Sequence, residues 1–218
     1  IIKVRLLTGL NNCKKGFTLA EVLITLGIIG VVAAMTLPSL QQKIDERANI
    51  TALKKFYTEF ANATNLLISE NTEPSAWGLR DNDTESSQAV LDMYKQRLNM
   101  VKICGEGDTS CFHFPIYSHD GKTVSISKSN YASWALKSFV LNNGTTVFFD
   151  VNNGNFSVFF DVNGYKNPNR LGVDVFAWAV NGRGRIVRYT DPSIGSGNDN
   201  PEYNYAFEIM ENGWTKNY

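Results

Sequence analysis

Residues 14–40 read KKGFTLAEVLITLGIIGVVAAMTLPSL, and the order of residue types in this stretch decides the fold. No charged residue occurs from Val22 to Leu40. With Phe17–Glu21 included, the run reaches about 24 residues, long enough for one helix to cross a hydrocarbon core. Lys14 and Lys15 stand directly before it, which favours an N-terminus held in the cytoplasm. A secretory signal requires a shorter apolar region ending at a small-residue cleavage site. Here Ala33 and Ala34 lie inside the run, and more helix-forming sequence follows. A plain signal anchor fits the length and the flanking charge. It does not account for Glu21, a carboxylate set inside the apolar segment, where an unpaired charge is costly.

Outward from this stretch, charge is unevenly placed. Basic and acidic residues balance at 21 each in 218 residues, but Lys3, Arg5, Lys14 and Lys15 all precede Gly16 and no acid does. Without those four, 17 basic residues face 21 acidic ones, a net charge near −4. The basic end therefore reads as a topology signal, and the rest is too acidic for a nucleic-acid binder that relies on a basic field.

The string Lys14-Lys15-Gly16-Phe17-Thr18-Leu19-Ala20-Glu21-Val22-Leu23 resembles the prepilin family, which includes type IV pilins and the pseudopilins of type II secretion. The shared pattern is a basic leader ending in Gly, then Phe-Thr-Leu, a Glu five residues into the mature chain, and an apolar helix. It covers residues 1–40; the remainder agrees only in architecture. The resemblance implies a non-enzymatic filament subunit with an α+β pilin fold, a long N-terminal helix packed on an antiparallel sheet. It implies that a membrane-embedded prepilin peptidase cuts between Gly16 and Phe17 on the cytoplasmic side and that the new Phe17 amine is methylated. A residue without a side chain at Gly16 would let the peptidase approach the backbone. It further implies a single-pass protein of the bacterial inner membrane, its globular part outside the cytoplasm. From there it would join copies of itself and other pilins or pseudopilins on an inner-membrane assembly platform. No cofactor is required by that role. Glu21 of one subunit would pair with the Phe17 ammonium of a neighbour, offsetting two charges that are each costly in lipid and fixing the axial register of adjacent helices.

Pro38 predicts a kink or local melting, because it removes one backbone hydrogen bond. Gly27 and Gly30 permit close helix packing. Beyond Pro38 the pattern becomes amphipathic: Leu40, Ile44, Ala48, Ala52, Phe56, Phe60, Ala63 and Leu67 recur at steps of three or four. One helix over residues 18–69, roughly 75 Å at 1.5 Å per residue, thus has a lipid-facing half and a half that needs a sheet. The expected organisation is a cleaved leader over 1–16, a transmembrane or filament-core half over 17–40, an amphipathic half over 41–69 and a globular α+β domain over 70–218.

In that domain, 70–88 is polar and reads as a loop, and 89–99 as a short helix with Val90, Tyr94 and Leu98 on one face. Strands are expected over 124–126, 139–141, 145–151, 155–161, 174–180 and 186–189, with a last strand over 205–210 after a polar surface loop. Asn142-Asn143-Gly144, Asn152-Asn153-Gly154 and Asn181-Gly182 stand where hairpin turns are needed. Phe148-Phe149-Asp150-Val151-Asn152 is echoed by Phe159-Phe160-Asp161-Val162-Asn163, a local hairpin echo and too few copies for a repeat architecture.

Cys13 falls in the leader. Cys104 and Cys111 remain as an even pair in an exported domain, separated by a short glycine-containing loop, so a disulfide is expected. Zinc held by these cysteines with His113 and His119 is disfavoured by the spacing. Asp161, Asn163 and Asp174 supply oxygen atoms in DVNGYKNPNRLGVD, a chemistry that suits calcium; an Asx-rich turn capping its own backbone is the preferred alternative. Phosphate-loop, nucleophile-elbow and metalloprotease motifs are absent. The rival from another class is an unpolymerised, signal-anchored binding module, with Trp77, Trp134, Trp178 and Trp214 lining a carbohydrate site. Arg183, Arg185 and Arg188 form the one candidate basic cluster, and their alternation fits a face of an edge strand better.

Overall fold

A computed structural model describes residues 16–70, 72–105, 107–133, 137–194 and 200–216. The leader before Gly16, with Cys13, and Trp134 lie outside these residues. The chain divides into two compact units, residues 1–44 and 45–218.

Helix α1 (Leu19–Glu70) runs through both. In the first unit every described apolar side chain is at least partly accessible, including Leu23, Ile24, Leu26, Ile28, Ile29 and Met35, so no face is reserved for a protein core. The helix is long and apolar enough to cross a membrane. Pro38 lies within it and does not end it. Its ring leaves the Ala34 carbonyl without the usual amide donor.

In the second unit α1 buries Asn49, Leu53, Phe56, Phe60, Ala63, Thr64 and Leu67. From Phe56 onward this is the expected stripe. One turn earlier it is corrected: Ala48 is exposed and Ala52 only partly buried, while Asn49 and Leu53 face inward. The cause is a polar contact, since Asn49 Nδ2 donates to the Val173 carbonyl at 3.1 Å, and apolar periodicity is blind to an asparagine on the core face.

The polar stretch 70–88 is not all loop. A 3₁₀ turn (Pro74–Ala76) is followed by α2 (Thr84–Lys95), which starts five residues before the expected helix and ends four before it. Asp83 caps α2: its Oδ2 accepts from Ser86 N at 2.9 Å and Ser86 Oγ at 2.6 Å. The small polar Ser86 and Ser87 pack inward with Val90, Leu91 and Tyr94.

The remaining elements are β1 (Met100–Cys104), β2 (Ile116–Tyr117), β3 (Val124–Ile126), α3 (Lys128–Ser133), β4 (Lys137–Leu141), β5 (Thr146–Asn152), β6 (Asn155–Asp161), β7 (Val175–Val180), β8 (Ile186–Val187) and α4 (Tyr205–Glu211). Strands β1-β4-β5-β6-β7-β8 form one antiparallel sheet in that order, and β2 pairs with β3. The three Asn-Gly turns join β4 to β5, β5 to β6 and β7 to β8, as the sequence indicates. The final segment differs: 205–210 is helical, because Ala206 and Ile209 bury at a spacing of three, a helical step. The polar tail before it is also partly core, with Ile194 and Tyr203 buried.

The two Phe-Phe pairs explain why the sheet is covered on both faces. Phe148 is paired with Phe159 across β5 and β6, their rings stacked at 4.8 Å, and they join Phe112, Ile116, Ile126, Tyr131, Tyr189 and Tyr203 in one core. Phe149 and Phe160, one residue along, point the other way to meet Phe56, Phe60, Tyr94 and Trp178 in the core under α1 and α2. The sequence reading anticipated only this second layer.

Candidate functional site

The start of α1 carries the residues that the sequence singles out. Gly16 and Phe17 precede the helix, and Phe17 is 88% exposed. Thr18 and Glu21 then lock the first turn reciprocally. Glu21 Oε2 accepts from Thr18 N and from Thr18 Oγ1, both at 2.8 Å, while Thr18 Oγ1 accepts from Glu21 N at 3.2 Å. This is a capping box, Thr at the cap and Glu three residues on, and it satisfies two helix-end donors that would otherwise lack partners. Thr-x-x-Glu was legible in the sequence, but the membrane context drew the reading of Glu21 toward its charge alone. The polar motif is therefore held in a defined geometry beside an accessible Gly16-Phe17 bond, followed by an apolar helix accessible all round.

Cys104, at the end of β1, and Cys111, at the end of a 3₁₀ turn (Thr109–Cys111), form a disulfide with Cα atoms 5.8 Å apart. Asp108 caps that turn through Ser110 N at 2.9 Å, and Lys102 Nζ of β1 donates to the Ser110 carbonyl at 2.9 Å, so Ser110 is held next to Cys111 from two sides. With the sulfurs bonded to one another, the zinc arrangement with His113 and His119 does not form. Among the described residues no three His, Cys, Asp or Glu side chains group to hold a metal.

Asp161, Asn163 and Asp174 do come together. Asp161 ends β6 and Asp174 precedes β7, so the loop between them leaves and re-enters the sheet at one place, where Val162 N donates to the Asp174 carbonyl at 3.0 Å. Asp161 Oδ1 accepts from Asn163 N and Gly164 N, both at 3.0 Å, which is the Asx turn. Asp174 Oδ2 accepts from Asn163 Nδ2 at 3.0 Å and Asn169 N at 2.8 Å, and its Oδ1 from Arg170 N at 2.7 Å. Both acids are fully buried. Desolvation, and then the neighbouring Asp174 carboxylate, pushes Asp161 up to about 8; desolvation also raises Asp174. Asn169 is a member that the sequence reading missed; its Nδ2 donates to the His113 carbonyl at 2.7 Å and also to that of Pro115.

The residues of the rival readings disperse. Trp178 is wholly buried under α1, and Trp77 and Trp214 pack half-buried against the same core, so these three do not line a ligand face. Arg188 pairs with Glu211 and lies over the Phe207 ring at 5.8 Å. Arg183 and Arg185, both exposed, border a polar depression with Glu73, Ser75, Asn181 and Ser193.

Residues 11–37 match the prokaryotic N-terminal methylation motif, the prepilin-type cleavage and methylation signal. No curated protein and no solved structure matches the chain.

Proposed function

We propose that this chain, which carries a prepilin-type signal over residues 11–37, is a non-enzymatic subunit of a type IV pilus-like or type II secretion pseudopilus filament. The observation that carries the reading is a coincidence. The methylation motif sits on the start of a helix whose first turn is capped by Thr18 and Glu21, and whose apolar side chains before residue 45 are, among the described residues, accessible all round.

In this account prepilin peptidase cuts after Gly16 on the cytoplasmic side and methylates the Phe17 amine. The apolar segment anchors the subunit in the inner membrane with residues 45–218 outside the cytoplasm. On the assembly platform, neighbouring copies and other pilins or pseudopilins bury that segment against their own. The capping box holds the Glu21 carboxylate on Thr18, the residue that follows Phe17. A neighbour's ammonium can then meet a carboxylate that needs little reorganisation, and the paired charges set the stagger between helices. A disulfide in residues 45–218 agrees with folding in an oxidising space.

The test is assembly in cells that supply a prepilin peptidase and an assembly platform. Wild-type chains should enter filaments that shear off and sediment, whereas Glu21→Ala should be processed yet stay in the membrane fraction. Wild-type chains that are cut after Gly16 but stay unassembled on a working platform would overturn the proposal.

A further inference from the structure

We infer that the polar depression beside the turn from β7 to β8 binds a uronate-bearing saccharide, its carboxylate held by Arg183 and Arg185 and its hydroxyls by Glu73, Ser75, Asn181 and Ser193. The inference does not depend on the filament reading. The depression has a volume of about 540 Å³, within the range of small-ligand sites. Three turns meet to build it. Ser75 N, in the 3₁₀ turn, donates to the Gly182 carbonyl at 3.0 Å. A Cβ added at Gly182 would stand 3.3 Å from both the Gly154 carbonyl oxygen and the Ser75 Cβ, so the β5–β6 turn closes in as well. Asn181 sets the rim. Its Oδ1 accepts from Arg183 N at 3.1 Å and from Arg185 N at 3.0 Å, which pins the main chain at both arginines. Its Nδ2 is little used, since the contact with Ser193 Oγ is 3.5 Å long.

The charges around the depression are unspent. Arg183 and Arg185 are exposed, and among the described residues neither makes an ion pair, although acids outnumber bases after Gly16. Glu73 lines the same depression and pairs with neither arginine. Opposite charges held apart around one opening suit different parts of one ligand. An arginine grips a carboxylate with two parallel hydrogen bonds. A glutamate, two serine hydroxyls and an amide suit sugar hydroxyls, which both donate and accept. Glu73 also selects against densely charged ligands, because a phosphate chain laid across the arginines would meet it. Trp77, Trp178 and Trp214 do not line the depression, so a neutral sugar finds no stacking face among them and the carboxylate supplies most of the affinity. The neighbouring wall is polar too. Asn155 and Asn181, both buried, come next beyond the Phe156–Val180 pair of β6 and β7. Asn155 Nδ2 donates to the Ile194 carbonyl at 3.0 Å, beside Ser193. Its Oδ1 and the Nδ2 of its partner Asn152 on β5 are buried without a hydrogen-bond partner. An orphan acceptor next to an orphan donor is what a water ordered by a sugar hydroxyl can satisfy.

The experiment uses the full chain in detergent micelles, titrated calorimetrically with digalacturonate, a neutral galactose disaccharide, inorganic phosphate and free glutamate. Digalacturonate should bind at a single site per chain, at least about tenfold more tightly than the neutral disaccharide. Arg183→Ala and Arg185→Ala should each weaken it by about tenfold or more. Arg185→Lys keeps the charge but not the fork, and should recover only part of that loss. Both arginines are exposed, so these variants should keep the wild-type melting temperature. Glu73→Gln should weaken digalacturonate while strengthening phosphate, a reversal that a merely structural glutamate would not produce. Three results would overturn the inference. One is a folded wild-type chain that takes up no digalacturonate at about 10 mM, well above a millimolar dissociation constant. Another is binding of digalacturonate that survives loss of both arginines, which would put the saccharide elsewhere. The third is phosphate or glutamate binding as tightly as the uronate, which would leave a site for plain anions or for zwitterions.

Discussion

Thr64 on α1 and Tyr94 on α2 share a hydrogen bond of 2.8 Å between fully buried groups, and its direction can be deduced. The Thr64 hydroxyl has one proton and donates it to the Phe60 carbonyl at 2.8 Å, so the Tyr94 hydroxyl must be the donor in the shared bond. Removing either partner therefore has unequal effects. Tyr94→Phe deletes the donor and leaves Thr64 still bonded to its own helix, a loss of about 1 kcal/mol. Thr64→Val keeps the shape but strands a buried phenol with no acceptor, which costs about 2–3 kcal/mol. In the double variant nothing is stranded, and its cost should fall about 1–2 kcal/mol short of the sum. Urea unfolding of the full chain in micelles, followed by tryptophan fluorescence because Trp178 lies in this core, measures each midpoint at constant slope. Equal single-variant costs, or strict additivity, would refute the reasoning and with it the seating of α2 on the second part of α1.

Other perturbations test the rest of the domain. Replacing both Cys104 and Cys111 by Ser should lower stability by about 2.5 kcal/mol, from the closure entropy of so short a loop, read as a midpoint shift under oxidising conditions. Desolvation, and then the nearby Asp81, pushes Asp150 up to about 7, while Asp161 stands at about 8, so the folded chain keeps protons that the unfolded chain sheds above about pH 4. Stability should therefore fall as pH rises from about 4 toward 8, by about 1.4 kcal/mol per pH unit for each retained proton, and Asp161→Asn should flatten part of that slope. Gly172→Ala should destabilise more than Gly144→Ala. Both glycines have positive φ, but an added Cβ at Gly172 would lie 2.4 Å from the Tyr205 ring while the one at Gly144 meets open space. Thermal melts of the two variants provide the comparison.

What the sequence made legible is what a regular period or a local rule encodes. The apolar run, the stripe from Phe56 to Leu67, the Asn-Gly hairpins and the Cys104–Cys111 pair all follow from spacing or turn chemistry, and each stands in the structure. Misreadings arose where one polar contact outweighs a pattern. Asn49 faces the core because a carbonyl waits for it there, and α2 begins in polar sequence because Asp83 caps it. The segment 205–210 reads as a strand in the sequence, yet tertiary packing of Ala206 and Ile209 makes it a helix. The core on the sheet face opposite α1 was hidden for another reason. Phe112, Tyr131 and Tyr203 come from short, distant segments, and only the long-range fold brings them onto Phe148 and Phe159. At the candidate site, motif reading found Gly16, Phe17 and Glu21 and passed over the legible Thr18–Glu21 pair, whose capping bonds the helix start displays. Asp161, Asn163 and Asp174 were likewise found by composition, while Asn169 joins them through a fold-back that no local pattern marks.

The central claim is that this chain enters a filament through a processed N-terminus. The most direct measurement is intact mass with N-terminal sequencing of the protein from cells with and without prepilin peptidase. The account predicts a peptidase-dependent product that begins at N-methylated Phe17. A chain that keeps residues N-terminal to Phe17 in the presence of an active peptidase would contradict it.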